Sequence, residues 1–416
     1  MMMKMMNNDA FPIVKAISMA CIVAALSGID PHYANLLAAA ALPTFFISAG
    51  YFFHPLPDAN GKGFMTRRIG RIYLPFVRWS LIFLVLHNLL VLCAIVKGGY
   101  YGWHEFCQRG WDIVTCMSGF DETLVPTYWF FRTFFLSGLM FWIVSEVGGK
   151  AFPMYSRLKC SLLIAALCAG FMVWGICGKL SVGVLPYGGI REIYGVLLFA
   201  LGYSLRLFER AGGKLVNVFS FAASALLLSL WFSFGKSSLP IFSPSQPHAG
   251  WLFAEILAGG AFFFAAAYLA ALVTKVGGYP QRALSHLGRH VLYVFAFSPL
   301  AFKAAAVVVV AFSSQLWTYV ALPSTANPLQ GPFAIFLNFA FGIGLPLAWM
   351  AAYRKVAQRV DLSIRSRLLW TLRMLFSLIV LIFTGLKKVA LYIIDTVKGL
   401  VKGFVDIIKA SSPKDE

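Results

Sequence analysis

Charge is scarce in this chain, and negative charge is scarcer still. Asp, Glu, Lys and Arg make up 12% of 416 residues, and 16 acids stand against 35 bases. A soluble domain carries about twice that charged fraction, so water is excluded as the main solvent of this surface. Metal-ligand spacing is missing too. Cys21, Cys93, Cys160, Cys168 and Cys177 lie in or beside apolar runs, where a thiol behaves as a small hydrophobe. Cys107 and Cys116 share one polar loop and could pair in an oxidising compartment. The glycine fingerprint of a dinucleotide site, the phosphate loop, HExxH and the serine elbow are all absent, which removes the common soluble-enzyme classes. Internal repeats and low-complexity tracts are absent as well. The opening "MMMKMMNNDA" is no convincing secretion signal, because Lys15 interrupts the start of the next apolar run; the first helix is expected to remain in the mature protein.

Apolar sequence is abundant, at 60% of residues with a mean hydropathy of +0.77. A membrane span needs roughly 20 such residues. Runs of that length fall at 11–28, 33–54, 73–96, 126–145, 160–178, 187–205, 216–234, 249–274, 290–312 and 332–353. Backbone in lipid must satisfy its own hydrogen bonds, so each run is read as a helix. The fold class is therefore all-α: a polytopic membrane protein of about ten helices over residues 11–353, with a basic segment at 354–416.

Loop charge supports that count. One alternating set of loops holds 19 Lys and Arg, among them Arg67, Arg68 and Arg71; the other holds 4, namely Lys97, Arg109, Lys179 and Lys236. This bias predicts that the N-terminus and the arginine loop lie in the cytoplasm, as in a bacterial inner membrane. It also accounts for the formal charge of +19, so nucleic acid is not an expected partner. After Arg373, "MLFSLIVLIFTGL" is short for a span. From Lys387 to Lys409 the polar residues recur at three- and four-residue steps opposite Val397, Leu400, Phe404 and Ile407. This reads as an amphipathic helix on anionic lipid, with an eleventh span as the alternative.

Ionisable side chains at membrane depth are candidates for function. His32 follows Asp30 in the turn between the first two runs. His87, Arg132, Arg191, Glu192, Glu255 and Lys303 lie in the same half of six different runs. Paired across helices they would form salt bridges or line a polar cavity. A histidine there could serve as general base with a carboxylate behind it: His87 with Glu255 or Glu192, or His32 with Asp30.

Several stretches resemble one family, the integral-membrane acyltransferase family 3, which O-acylates surface sugars. "VKAISMACIVAALSG" is similar to its first helix, "LPTFFISAGYFF" to its second and "FMTRRIGRIYLPFVRWS" to the entry of its third. "YWFFRTFFLSGLMFWIV" and "LSHLGRHVLYVFAF" resemble later segments. The resemblance covers about residues 11–353. It implies transfer of an acyl group, with acetyl the expected one, from cytoplasmic acyl-CoA to a hydroxyl of a cell-envelope glycan or lipid-linked sugar, without a metal. Membrane lipid and envelope-assembly proteins would be the other partners. Arg67, Arg68 and Arg71 match the family's arginine loop, whose guanidinium groups suit CoA phosphates. Lys15 matches the basic residue that opens the first helix. Arg132, Arg191, Glu192 and Lys303 would line the acceptor pocket. Three family histidines are missing: their positions hold Leu26 or Ser27, Ala41 or Leu42, and Ser298. Either His32 or His87 supplies the base, or the chain works in polysaccharide transport or assembly without acyl transfer.

Overall fold

A computed structural model describes residues 10–53, 67–118, 124, 127–151, 156–176, 189–213, 215–235, 249–313, 317–322 and 331–359. Among these residues the secondary structure is entirely helical. The helices are α1 Ala10–Leu26, α2 Pro31–Ala41, α3 Pro43–Tyr51, α4 Leu74–Leu92, α5 Trp103–Cys116, α6 Trp129–Ala151, α7 Arg157–Ile176, α8 Ile190–Arg210, α9 Val218–Phe234, α10 Ala249–Val276, α11 Gly278–Arg289, α12 Val291–Ser313 and α13 Pro332–Arg359. A π-helical turn, Ile69–Tyr73, leads into α4, and a 3-10 turn, Trp317–Ala321, follows α12. The chain divides into two units, 1–350 and 351–416. Of the second unit, only the end of α13 is described. The expected amphipathic helix at 387–409 and the apolar stretch after Arg373 lie outside the described residues.

Every apolar run of the sequence contains helix. Six helical segments are long and apolar enough to cross a membrane: Pro31–Tyr51, Ile69–Leu92, Arg157–Trp174, Phe253–Val276, Val291–Phe312 and Pro332–Tyr353. α1 and α9 are apolar but shorter, while α6 and α8 carry buried charge. The surface fits the same solvent. Leu162, Leu163, Leu167, Phe171 and Trp174 of α7 and Leu226, Leu230 and Phe234 of α9 are exposed. In water such stripes would be an aggregating patch; in lipid they are the expected exterior.

Apolar exteriors give no hydrophobic drive between helices in lipid, so small residues and interhelical hydrogen bonds hold the bundle. α8 lies at its centre, packed by α3, α6 and α7. A side chain on Gly50 of α3 would collide with the Phe199 carbonyl of α8, and one on Gly202 of α8 would collide with the Ile47 carbonyl of α3. The two backbones therefore touch. Hydroxyls add ties: Ser161 Oγ of α7 donates to Ala200 O of α8 at 2.9 Å, and Ser137 Oγ of α6 donates to Glu192 O at 2.9 Å. Trp231 Nε1 of α9 donates to Leu36 O of α2 at 3.0 Å. Ser298 Oγ, where the family has histidine, donates to Gly342 O of α13 at 2.9 Å. Each such bond contributes about 0.6 kcal/mol on average in a bilayer.

Two helices replace expected loops. α5 doubles back along α4: the Asn88 amide holds the Tyr101 backbone in both directions, at 2.8 and 3.1 Å, and Tyr73 Oη donates to Val114 O at 2.6 Å. Cys107 and Cys116 thus sit on one helix and are both free thiols. Nine residues of helix separate them by about 13 Å along the axis, too far for a disulfide, so the expected pairing is corrected. α11 is amphipathic and packs on α1, with Leu287 and Gly288 buried and Arg282, His286 and Arg289 exposed.

The α3–α8 contact leaves no room for a side chain. Gly50→Val is expected to destabilise the bundle by about 1–3 kcal/mol, whereas Gly344→Val on α13, where a Cβ meets nothing within 4 Å, should be near neutral. Thermal unfolding of purified variants in detergent checks this.

Candidate functional site

The arginine loop separates into two faces. Arg67 and Arg71, four residues apart, are exposed; Arg68 turns inward. Arg68 Nη1 donates to Phe134 O at 2.9 Å and Phe135 O at 3.2 Å of α6, and its guanidinium lies over the rings of Phe134 and Phe199. Gly138 makes this possible, because any side chain there would occupy the space of the Arg68 guanidinium. Burial pushes the Arg68 group down from the usual arginine range to about 10, which leaves it charged at neutral pH. Arg68 is therefore committed to helix carbonyls, and the expected trio of phosphate ligands reduces to Arg67 and Arg71.

Other cations follow the same pattern. Lys303 Nζ donates to Val320 O, Ala321 O and Leu322 O at 2.9, 2.9 and 3.0 Å, so it caps the 3-10 turn. Arg206 Nη1 donates to Phe53 O at 2.8 Å just beyond α3, and the Tyr51 hydroxyl donates to Glu209 beside it. Lys15 is half-buried. It lies one turn from Phe11, whose ring meets Tyr51 and Phe263 at 5.0 and 6.5 Å. That places Lys15 on the face of α1 toward α3 and α10.

The buried ionic cluster gathers at the opposite half of the bundle. Arg132 of α6 and Glu192 of α8 form an ion pair at 3.8 Å, with both side chains buried. Arg191 adds its field at Glu192 and lies over the Trp129 ring at 4.8 Å. Arg132 Nε and Glu192 Oε2 have no hydrogen-bond partner, so the pair is held by charge alone and keeps donor and acceptor sites open. Tyr194, one half-turn from Glu192, lies within electrostatic reach of Glu255 on α10. The structure thus brings Arg132, Arg191 and Glu192 together, with Glu255 beyond Tyr194.

The histidines stand apart from that cluster. His87 is buried at 4% exposure. Its Nε2 meets Gly99 O at 3.0 Å and its ring stacks on Tyr101 at 3.7 Å. Arg109 lies against the same tyrosine at 4.3 Å. A carbonyl only accepts, so Nε2 carries the hydrogen and Nδ1 is the basic nitrogen of the neutral ring. The partner expected behind His87 was a carboxylate; a backbone carbonyl fills that place. His32 is exposed at the start of α2, and Asp30 accepts from the His32 backbone N–H at 2.9 Å rather than from its ring. Asp30 and His32 therefore form a helix cap, the bland reading of that pair. Tyr101 and Gly99, which orient His87, lay in a stretch that reads only as a polar loop, and α5 is what places them.

Compared with family models, with curated proteins and with solved structures, this chain matches none.

The Arg132–Glu192 pair generates a stability test. Arg132→Met alone leaves an uncompensated buried carboxylate and should cost about 3–5 kcal/mol, while the double variant Arg132→Met with Glu192→Gln should recover most of it. Thermal unfolding of the three proteins in one detergent measures the difference.

Proposed function

We propose that the chain is a membrane-embedded acyltransferase that moves an acyl group, acetyl being the expected one, from cytoplasmic acyl-CoA to a hydroxyl of a cell-envelope glycan or glycolipid. On this reading the bundle makes about ten crossings of a bacterial inner membrane with its N-terminus in the cytoplasm. The loop charge bias supports that orientation. The observation that carries the proposal is the family-like entry to α4. It leaves Arg67 and Arg71 exposed on one face at one end of the helix and His87, oriented by Gly99, near the other.

Sixteen residues from Arg71 to His87 correspond to about 24 Å of helix, which the extended arm of CoA would follow from its phosphates toward the reaction. Nδ1 of His87 takes the proton of the acceptor hydroxyl as that oxygen attacks the thioester carbonyl. The carbon–sulfur bond breaks, and the leaving thiolate takes the proton from the imidazolium. The open Arg132 Nε and Glu192 Oε2 offer one donor and one acceptor to the hydroxyl groups of a sugar. His32 remains the second candidate for the base.

Three outcomes are expected. Arg67→Gln and Arg71→Gln weaken acyl-CoA binding to purified protein and leave the unfolding temperature unchanged. Arg68→Gln lowers the unfolding temperature. His87→Ala reduces acyl transfer by about 10²–10⁴-fold with donor binding intact, and the gene's presence shifts the mass of the envelope glycan by one acyl group. Full transfer by the His32→Ala/His87→Ala double variant would refute the histidine base. The missing family histidines favour a second reading, transport or assembly of surface polysaccharide without acyl transfer. Absence of any acyl-CoA affinity would select it.

A further inference from the structure

Glu255 takes no part in the reaction proposed above. It is the one acid of α10, 2% exposed, and its Oε2 has no hydrogen-bond partner. Among the described residues no cation forms an ion pair with it. An isolated carboxylate in this interior is costly, so something positive must accompany it.

Its surroundings are set by a broken helix. α2 and α3 form one apolar rod interrupted at Leu42–Pro43. Pro43 has no N–H, so the Ala39 carbonyl loses its helical donor. Pro43 touches α10: a Cβ on Gly259 would lie 2.7 Å from Pro43 Cβ. Both rods run the same way. The Phe11 ring meets Phe52 at 4.1 Å and Phe263 at 6.5 Å, residues that follow Pro43 and Gly259 in their helices. Ala39 lies four residues before Pro43, and Glu255 four before Gly259. Each pair shares a helix face, so Glu255 and Ala39 sit across the α2–α10 contact. Two acceptors therefore face each other. Thr44 Oγ1 and Ser48 Oγ, the next oxygens along α3, are also buried without partners.

We propose that Glu255, the Ala39 carbonyl and the adjacent α3 hydroxyls bind a sodium-sized monovalent cation at the α2–α3 break. One carboxylate balances one positive charge, which disfavours a divalent ion. No three His, Cys, Asp or Glu side chains converge among the described residues, so the donors are hard oxygens. A proton would satisfy a single pair of acceptors, whereas a cation draws on all four. Interrupted membrane helices commonly present freed carbonyls to sodium in this way.

The test uses the full-length protein in detergent, with sodium chloride replacing choline chloride stepwise at constant ionic strength and pH. The unfolding temperature should rise with the logarithm of sodium concentration once sites fill, and radiosodium should bind at one site per chain. Glu255→Gln should abolish both effects. Pro43→Ala, which returns an N–H to the Ala39 carbonyl without removing charge, should weaken sodium binding severalfold in a protein that still folds. Equal unfolding temperatures in sodium and choline would overturn the proposal. So would sodium dependence that survives Glu255→Gln, or an unfolding temperature that follows pH alone. None of these outcomes depends on acyl transfer.

Discussion

Backbone carbonyls hold the buried cations of this protein, and much of the bundle is arranged around that fact. With 16 acids for 35 bases, the chain cannot pair its interior cations with carboxylates. Arg68 bonds the carbonyls of Phe134 and Phe135, Lys303 those of the 3-10 turn, and Arg206 that of Phe53. Each bond ties one helix to the backbone of another segment. Carbonyls have a second lone pair to give, so the helices lose no internal hydrogen bond in supplying it. The charge that snorkels elsewhere in membranes here becomes an internal strut.

The exceptions are the acids. Glu192 has Arg132 and Arg191 near it, while Glu255 has only the uncharged Tyr194. The bundle half that contains them also contains the α2–α3 break, so orphaned carbonyl, unsatisfied hydroxyls and buried charge concentrate at one level. The rest of the interior is aromatic, as in the Phe46, Phe130, Phe134 and Phe199 contacts. Polar vacancy in an otherwise well-filled interior marks where a ligand has something to gain.

The sequence made the helices legible because lipid leaves the backbone one choice: every apolar run proved helical. α5 and α11 escaped notice because their polar faces break the apolar run that signals a span, although their four-residue spacing of apolar groups was there to read. The cluster was half legible. Arg132, Arg191, Glu192 and Glu255 stood out as charges among hydrophobes, but spacing along separate helices says nothing of which will meet. Lys303 and Arg68 look like ligands in sequence for the same reason; their partners are carbonyls, which every residue has. His87 was read with a carboxylate behind it, and Gly99 could not be foreseen because a glycine carbonyl carries no sequence signal.

The π-helical turn at Ile69–Tyr73 carries a consequence of its own. Leu74 N–H bonds the Ile69 carbonyl, five residues back, so the turn holds one residue more than an α-helix needs. Deleting a residue there would rotate everything before it by about 100° relative to α4. Arg68 would leave the cleft between α6 and α8, and a neighbouring side chain would swing toward Gly138. The partition of the arginines into one strut and two exposed groups thus rests on the length of the chain between Arg68 and α4 as much as on the residues themselves.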